Sequence, residues 1–259
     1  MMKIGDSAAY TLYKNKNSFS YTLQLKEPND LFMTLLTNLI PNAFYNDNDN
    51  DNENENDNDN DNDNENDNDN ENDYDNDYEN DYENDYEKNQ TIIFTAESVE
   101  PLTVLALKNN VTQMIMSLSK QLEYFNDNNL AFYGFDKDDI IVINDTLFLI
   151  VNNKYSKTLD KERTLTFYGP FSKPFFSSPE LIDLKCLPAK INYQTSYYSL
   201  GSLIIYYLFN SHLNFTNFIG LKRESLNDKV FESILNTKLY WFLKRCLNDN
   251  PKKRILLYL

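Results

Sequence analysis

Acidic residues are concentrated directly before an apolar run near the middle of the chain. Residues 130–142 read LAFYGFDKDDIIV, so that Asp138 and Asp139 immediately precede aliphatic residues. Neighbouring carboxylates at such a point can bind a cation weakly, but the pattern favours a solvated turn before a buried strand. The residues just upstream add little chemistry, because Gly134 has no side chain and Phe132 has no proton to transfer.

The acidity of the chain comes from one segment. The formal net charge is −16, but residues 46–89 contain 21 Asp or Glu residues and one Lys, a local charge of −20. The rest of the chain carries about +4 and has no dense Lys/Arg cluster that could follow a phosphate backbone. Nucleic acid is therefore excluded as a direct ligand.

The same segment has no capacity to form a core. It alternates Asn with Asp or Glu, and its tyrosines recur every fourth residue, at Tyr74, Tyr78, Tyr82 and Tyr86. High charge with almost no aliphatic side chains does not offset chain entropy, so residues 46–89 are predicted to be a disordered insertion. Its role is either a lure for basic partners, a set of phosphorylatable tyrosines, or a tolerated repeat expansion in a surface loop.

Composition also limits metals and membranes. Cys186 and Cys246 match no metal-ligand spacing, and His212 is the single histidine, which predicts free thiols and no metal site. Residues 1–13 lack an apolar stretch of signal-peptide length, and the longest apolar run, 203–209, is too short to cross a bilayer. We therefore expect a cytosolic protein without a transmembrane segment, or one peripheral to a membrane.

Hydrophobic periodicity predicts strands first and helices later. Residues 111–125 repeat apolar side chains at helical spacing, and the pair Asn144 and Asp145 separates two short apolar runs as a turn would. Residues from 152 to 179 are predicted to be loop. The predicted strands are 8–13, 19–25, 91–95, 140–144 and 146–151. Besides 111–125, helices are predicted at 30–39 and over most of the chain after Pro179.

Four short motifs, in order along the chain, resemble the eukaryotic protein kinase domain. They are LIPNAFY at 39–45, SPE at 178–180, YSLG at 198–201 and NPKKR at 250–254, which look like the kinase motifs L-x-H-P-N-I-V-x-F-Y, A-P-E, W-S-L-G and D-P-x-x-R. The resemblance implies an α+β, bilobal fold over residues 1–259, with a small β-rich N-lobe that carries the insertion and a larger helical C-lobe. In that fold the A-P-E glutamate pairs with the arginine of the last motif, which implies a structural Glu180–Arg254 ion pair.

A narrower resemblance is to the Scy-like family of N-terminal-kinase-like pseudokinases. TAESVEPL at 95–102 looks like that family's T-E-x-V-x-P-L hinge with one extra residue, and the family favours N-P-K-x-R, as found at 250–254. The likeness implies a catalytically silent domain in vesicle trafficking, with coat or Golgi proteins as partners and a location in the cytoplasm or at Golgi or vesicle membranes. Family members continue into HEAT repeats, which are not present before Leu259.

The kinase positions that carry chemistry are degenerate here. A kinase catalytic loop, H-R-D-x-x-x-x-N, uses its Asp to orient the substrate hydroxyl and its Asn to hold a metal ion. In this chain those positions are Gly134 and Asp139, and Asn152 stands where the D-F-G aspartate belongs. A neutral amide does not replace a carboxylate as the main magnesium ligand. Asp136 is no substitute base, because Ile141 follows it five residues later.

The nucleotide-binding positions are equally reduced. Gly5 is the single glycine before Gly134, so the first loop lacks the usual glycines, and Asp6 would bring negative charge towards a triphosphate. Lys26 stands where the ATP-anchoring lysine would be, with Asp30 in place of its glutamate partner, and Ser196 replaces an aspartate of helix F. We therefore expect a scaffold with no catalytic residues, metal or cofactor. The alternative is an active atypical serine/threonine kinase that uses ATP.

Overall fold

The structure is a computed structural model that describes residues 1–16, 18–26, 29–46, 90–102, 104–209 and 231–258, with backbone alone for 104–109. The predicted insertion lies outside these residues except for Asn46, which ends a strand and pairs with Thr91. His212 is also outside them.

The N-terminal part of the chain forms a five-stranded antiparallel sheet in the order β1-β2-β3-β5-β4. Its core-facing side chains include Leu12, Leu23 and Ile92, which are inaccessible to solvent. The sheet begins one strand earlier than the sequence predicted. Its strands are β1 (Met2–Asp6), β2 (Tyr10–Lys14), β3 (Ser20–Leu25), β4 (Phe44–Asn46) and β5 (Thr91–Thr95).

One helix, α1 (Asp30–Leu39), covers this sheet and has the predicted bounds. It begins where the side chain of Asn29 accepts a hydrogen bond from the Phe32 amide, which satisfies one of the free donors of the first turn. Its inner face buries Phe32 and Leu36, and the Phe32 ring packs edge-on against Phe132 from the other half of the molecule. This contact joins the sheet-rich and helical halves.

A second sheet, in the order β10-β9-β6, connects the two halves. It consists of β6 (Val99–Pro101), β9 (Ile140–Ile143) and β10 (Leu147–Ile150). The turn between β9 and β10 contains Asn144 and Asp145 with φ of 51° and 58°, a left-handed conformation that Asn and Asp tolerate. The Asn144 side chain accepts hydrogen bonds from the amides of Glu97 and Ser98, so the predicted turn also fixes the start of the linker.

The C-terminal half is mainly helical. In the described residues its helices are α2 (Val104–Asp127), α3 (Pro179–Ile182), α4 (Thr195–Phe209) and α5 (Lys238–Cys246), with 3-10 turns at Lys137–Asp139, Glu232–Ile234 and Pro251–Lys253. Helix α2 is interrupted at Asn110, where φ is −135°. Helix α4 is buried over most of its length, and at Gly201 a Cβ atom would lie 3.1 Å from Cys246 Cβ. This glycine permits the close approach of α4 and α5.

The prediction of continuous loop between 152 and 179 is wrong. The structure has strands there, paired as β11 with β7, β12 with β14 and β13 with β8. These strands are two to four residues long, which is too short to show a clear alternation of apolar and polar residues in the sequence. Their pairing partners are distant in the chain. Their bounds are β7 (Leu130–Phe132), β8 (Gly134–Phe135), β11 (Ser156–Thr158), β12 (Thr164–Phe167), β13 (Phe176–Ser177) and β14 (Ala189–Asn192).

The chain therefore combines a sheet-rich N-terminal half with a larger, mainly helical C-terminal half, as the α+β class predicted. One hydrophobic core runs through both halves, from Leu12 in β2 to Leu203 in α4, and a smaller aromatic cluster surrounds Tyr133 and Phe167. Within the described ranges, no helix has the length and apolar character needed to span a bilayer.

Candidate functional site

A cleft of about 400 Å³ lies between the two halves. One wall is residues 6–9, the loop that joins β1 to β2. The opposite wall contains Asp136, Asp138 and Asp139 from the loop before β9, together with residues 152–154 after β10. The predicted degenerate positions Asp139 and Asn152 therefore lie in one cavity. Among the described residues that line it, the charged ones are Asp6, three further aspartates and Lys154, so the negative charges outnumber the positive one.

Asp139 lies in the floor of this cleft and is 4% exposed, so the prediction of a solvated turn is wrong for this residue. The turn is wound so that the Asp139 carboxylate accepts a hydrogen bond from the Asp136 amide at 2.6 Å. Burial raises the pKa of Asp139 to about 7, although hydrogen bonds from Asp136 and Asn152 act in the opposite direction. At neutral pH this carboxyl group is thus poised between its charged and neutral forms.

Asn152 satisfies both ends of its amide within the protein. Its Nδ2 donates to Asp139 Oδ1 at 2.6 Å, and its Oδ1 accepts from the Lys154 amide at 2.9 Å. The amide nitrogen, a donor, therefore faces the buried carboxylate where a cation would have to approach it. Within the part of the chain that the structure describes, no group of three or more Asp, Glu, His or Cys residues is arranged to hold a metal ion.

Gly134 is enclosed by the segment that precedes α3. Strand β8 pairs with β13, so that Gly134 lies opposite Ser177. A Cβ atom at Gly134 would lie 2.3 Å from Pro174 Cγ and 2.7 Å from the Phe176 carbonyl oxygen. Both distances are far below contact distance, and the second involves backbone. Gly134 therefore lies where the surrounding atoms leave no room for a side chain.

Asp136 is engaged by the same region of the chain. Its Oδ1 accepts from the Phe175 amide at 2.5 Å, and its Oδ2 accepts from the Tyr155 hydroxyl at 2.7 Å. Burial, and then the hydrogen bond to Asp136, raises the pKa of Tyr155. Asp136 thus fixes both the start and the end of residues 155–175. The spacing D-x-x-D at 136–139, an N-terminal cap of a helical turn, is a signal in the sequence for this turn, but nothing in it indicates the bonds to Tyr155 and Phe175.

Helix α4 contacts the cleft loop through a residue that sequence reasoning missed. The Tyr207 hydroxyl donates to the Lys137 carbonyl at 3.4 Å. Ser196, which occupies the expected helix position, is buried and donates to the Tyr193 carbonyl beside its own helix instead. No local pattern in the apolar run 203–209 distinguishes Tyr207 from its neighbours.

Lys26, the candidate ATP anchor, is held at the side of the cleft wall. Its ammonium group lies 3.1 Å from Asp6 Oδ1 and donates to the Ser7 carbonyl at 2.5 Å. Asp30, the expected partner of Lys26, accepts a hydrogen bond from Gln90 at 2.7 Å. The structure therefore brings Lys26 to Asp6 and not into contact with Asp139 or Asn152.

Glu180 and Arg254 meet at the other end of the helical half. Arg254 Nη1 lies 2.5 Å from Glu180 Oε1, and Nη2 lies 2.9 Å from Oε2, a two-point contact between planar groups. Arg254 is 0% exposed. Burial acts to raise the pKa of Glu180, but the hydrogen bonds and charge of Arg254 outweigh it, so that this pKa is lowered.

Comparisons with known proteins give a limited result. No protein-family model and no curated protein matches the sequence. Among solved structures, the chain is similar to a twitchin kinase fragment of C. elegans, described as an autoregulated protein kinase with immunoglobulin domains. The identity is 16%, the TM-score is 0.47, and the match covers 65% of this chain and 40% of that chain. At these values the similarity to a kinase carries no argument about activity.

Proposed function

We propose that this chain is a protein kinase-like domain that transfers no phosphate and acts by binding other proteins. The kinase-like assignment is supported by the order of elements along the chain, which is a five-stranded sheet with one helix, then a linker strand, then a mainly helical half. The cleft between the two halves supports it as well. It is also supported by the pairing of Glu180 with Arg254, which joins the two distant motifs that resemble kinase motifs.

The space around Gly134 is the observation on which the proposal chiefly depends. A catalytic base must reach the substrate hydroxyl from a defined position. Here Pro174 and the Phe176 carbonyl occupy the volume that a side chain at this position would need. The obstruction includes the backbone of β13, which pairs with β8. A base could therefore not be introduced at this position by substituting Gly134 alone, because the paired backbone would also have to move.

The cleft floor supports the same conclusion. Magnesium requires oxygen ligands, and phosphoryl transfer depends on cations to neutralise developing charge. The Asn152 amide nitrogen faces Asp139, and Asp136 is already bonded to Phe175 and Tyr155. The three polar groups that could serve the reaction are used to hold the protein's own segments together. ATP is accordingly not proposed as a cofactor.

The proposal is tested by incubating the purified protein with magnesium and radiolabelled ATP, alone and with generic Ser/Thr substrates. We expect no incorporation above that of a Lys26→Ala preparation purified in parallel, which controls for contaminating kinases. Incorporation that the Lys26→Ala change abolishes would instead support the atypical kinase.

The finer assignment to Scy-like pseudokinases, with a role in vesicle trafficking at the Golgi or in the cytoplasm, is a proposal that rests on the residues at 95–102 and 250–254. In the structure Val99–Pro101 forms β6, and the Leu102 amide donates to the Ile140 carbonyl, so this stretch links the two halves. Proximity labelling in cells with the tagged chain should enrich vesicle-coat and Golgi proteins. Labelling confined to other compartments would exclude this role.

A further inference from the structure

The loop between β1 and β2 satisfies its own backbone donors. The Ser7 amide donates to the Tyr10 carbonyl at 2.9 Å. The amides of Ala9 and Tyr10 both donate to Ser7 Oγ, each at 3.1 Å. Backbone N–H groups exposed in such a loop are the usual means of binding phosphate oxygens. Because Ser7 accepts from two of them, these donors are not offered to an anion in the cleft.

The lysine beside this loop, Lys26, is also occupied. Lys26 contacts the Asp6 carboxylate and the Ser7 carbonyl, and Asp6 receives further hydrogen bonds from Lys3 and Thr11. These hydrogen bonds, from Lys3 first and then Lys26 and Thr11, hold the pKa of Asp6 well below its usual range. Asp6 therefore stays charged at physiological pH, and a triphosphate in the cleft would have to approach this negative charge.

We propose that Asp6, Ser7 and Lys26 form an internal latch that occupies the phosphate-binding groups of the cleft wall and thereby excludes nucleotide. This inference rests on the kinase-like reading of the cleft. To admit a triphosphate, Lys26 would have to leave Asp6, and the amides of Ala9 and Tyr10 would have to leave Ser7. The latch thus competes with the ligand for the same donors.

The latch is built so that it can open. The side chains of Lys26 and Asp6 are 42% and 43% exposed, and an ion pair this accessible to water contributes little on its own. The contacts of Ser7 lie within one four-residue turn, so their loss leaves the pairing of β1 with β2 in place. Substitutions at Asp6 and Ser7 should therefore release the donors without unfolding the sheet.

The test compares the parent with an Asp6→Asn, Ser7→Ala variant in binding of a fluorescent ATP analogue with magnesium. We expect the variant to bind at least tenfold more tightly than the parent, because Lys26 loses its charged partner Asp6 and two amides lose their acceptor, Ser7 Oγ. Adding Lys26→Met to the variant should remove the share of the gain that Lys26 contributes, so that binding falls between that of the variant and that of the parent. The matched control is Lys3→Met, which removes the other lysine from Asp6 but frees no donor in the cleft, and it should bind as the parent does. Equal binding by the variant and the parent would overturn the latch.

Amide exchange gives a second measurement that does not depend on nucleotide. In the parent, the amides of Ala9 and Tyr10 should exchange at least tenfold more slowly than in Ser7→Ala. Unprotected exchange at both amides in the parent would overturn the latch even if the variants failed to fold. Phosphate transfer by the opened variant would refute the silent-domain proposal and leave the latch standing, whereas absence of any gain in binding refutes the latch alone.

Discussion

The Arg254 guanidinium is buried against the Glu180 carboxylate and uses all of its donors. Besides the two bonds to Glu180, its Nε donates to the Asn248 carbonyl at 2.8 Å, and its two Nη atoms also reach the carbonyls of Gln194 and Asp249. The guanidinium also lies 5.0 Å from the Tyr198 ring centroid. Arg254 therefore joins α3, the start of α4 and the C-terminal turn.

Removal of either member of this pair should be strongly destabilising. Arg254→Ala should cost about 3 to 5 kcal/mol, because it leaves a largely buried carboxylate and several carbonyls without a partner. The Glu180→Ala, Arg254→Ala double variant should lose clearly less than the sum of the single variants in chemical unfolding. Additive losses would show that the two side chains do not interact. Lys190→Ala, which removes solvent-exposed ion pairs with Asp160 and Glu162, is the control and should cost far less than Arg254→Ala.

Asp139 should make stability depend on pH between about 4 and 7. Its pKa is about 7 in the folded protein and near 3.8 when unfolded, so the unfolded chain releases this proton first as pH rises. The free energy of unfolding should consequently fall by about 3 to 5 kcal/mol over this range through Asp139 alone.

This prediction is checked by the difference between the parent and Asp139→Asn, measured by urea unfolding at pH 4.5 and pH 8. The variant cannot ionise, so it should lose stability less steeply than the parent as pH rises. Asp138→Asn, at the exposed neighbouring position, should preserve the parental slope. Identical slopes in the parent and Asp139→Asn would mean that Asp139 is solvated.

Gly134→Ala should destabilise the protein although it adds one methyl group. The new Cβ would collide with Pro174 and with the Phe176 carbonyl, and displacing this backbone should cost about 1 to 3 kcal/mol. Gly169→Ala is the matched control, because no atom lies within 4 Å of the added Cβ there. Thermal unfolding should therefore show a lower Tm for the first variant and a Tm near that of the parent for the second.

Gln121 should be a structural residue of α2 that tolerates no apolar replacement. Its Nε2 donates to the Ile150 carbonyl and its Oε1 accepts from the Ile150 amide, both at 2.8 Å in a buried location. Gln121→Ala leaves the buried amide and carbonyl of Ile150 without these hydrogen-bond partners. It should therefore lower the free energy of unfolding by about 2 kcal/mol or more. Gln113→Ala, on the exposed side of the same helix, should change stability by less than about 0.5 kcal/mol. Equal effects in the two variants would contradict this role.

The sequence predicted those elements whose signal is local. Helix Asp30–Leu39 combines a capping Asn29 with apolar residues at helical spacing, and the Asn144–Asp145 turn separates two apolar runs, so both were predictable. Strands β8, β11 and β13 could not be predicted, because each is only two or three residues long. Such short segments become strands by pairing with partners that are distant in the sequence. That Gly134 has no side chain and that Asn152 carries a neutral amide was visible in the residue types. The reason that a larger side chain would not fit at Gly134 was not visible, because it depends on the position of Pro174 in the folded chain.

The connection made by Asn144 has a consequence for how the molecule unfolds. Its side chain holds the amides of Glu97 and Ser98, while β6 pairs with β9 immediately afterwards, so the linker from the N-terminal sheet is bonded to a hairpin of the helical half. The hydrophobic core also continues from one half into the other. Both halves therefore share the main hydrophobic core, and the protein should melt in a single cooperative transition with coincident fluorescence and circular dichroism signals.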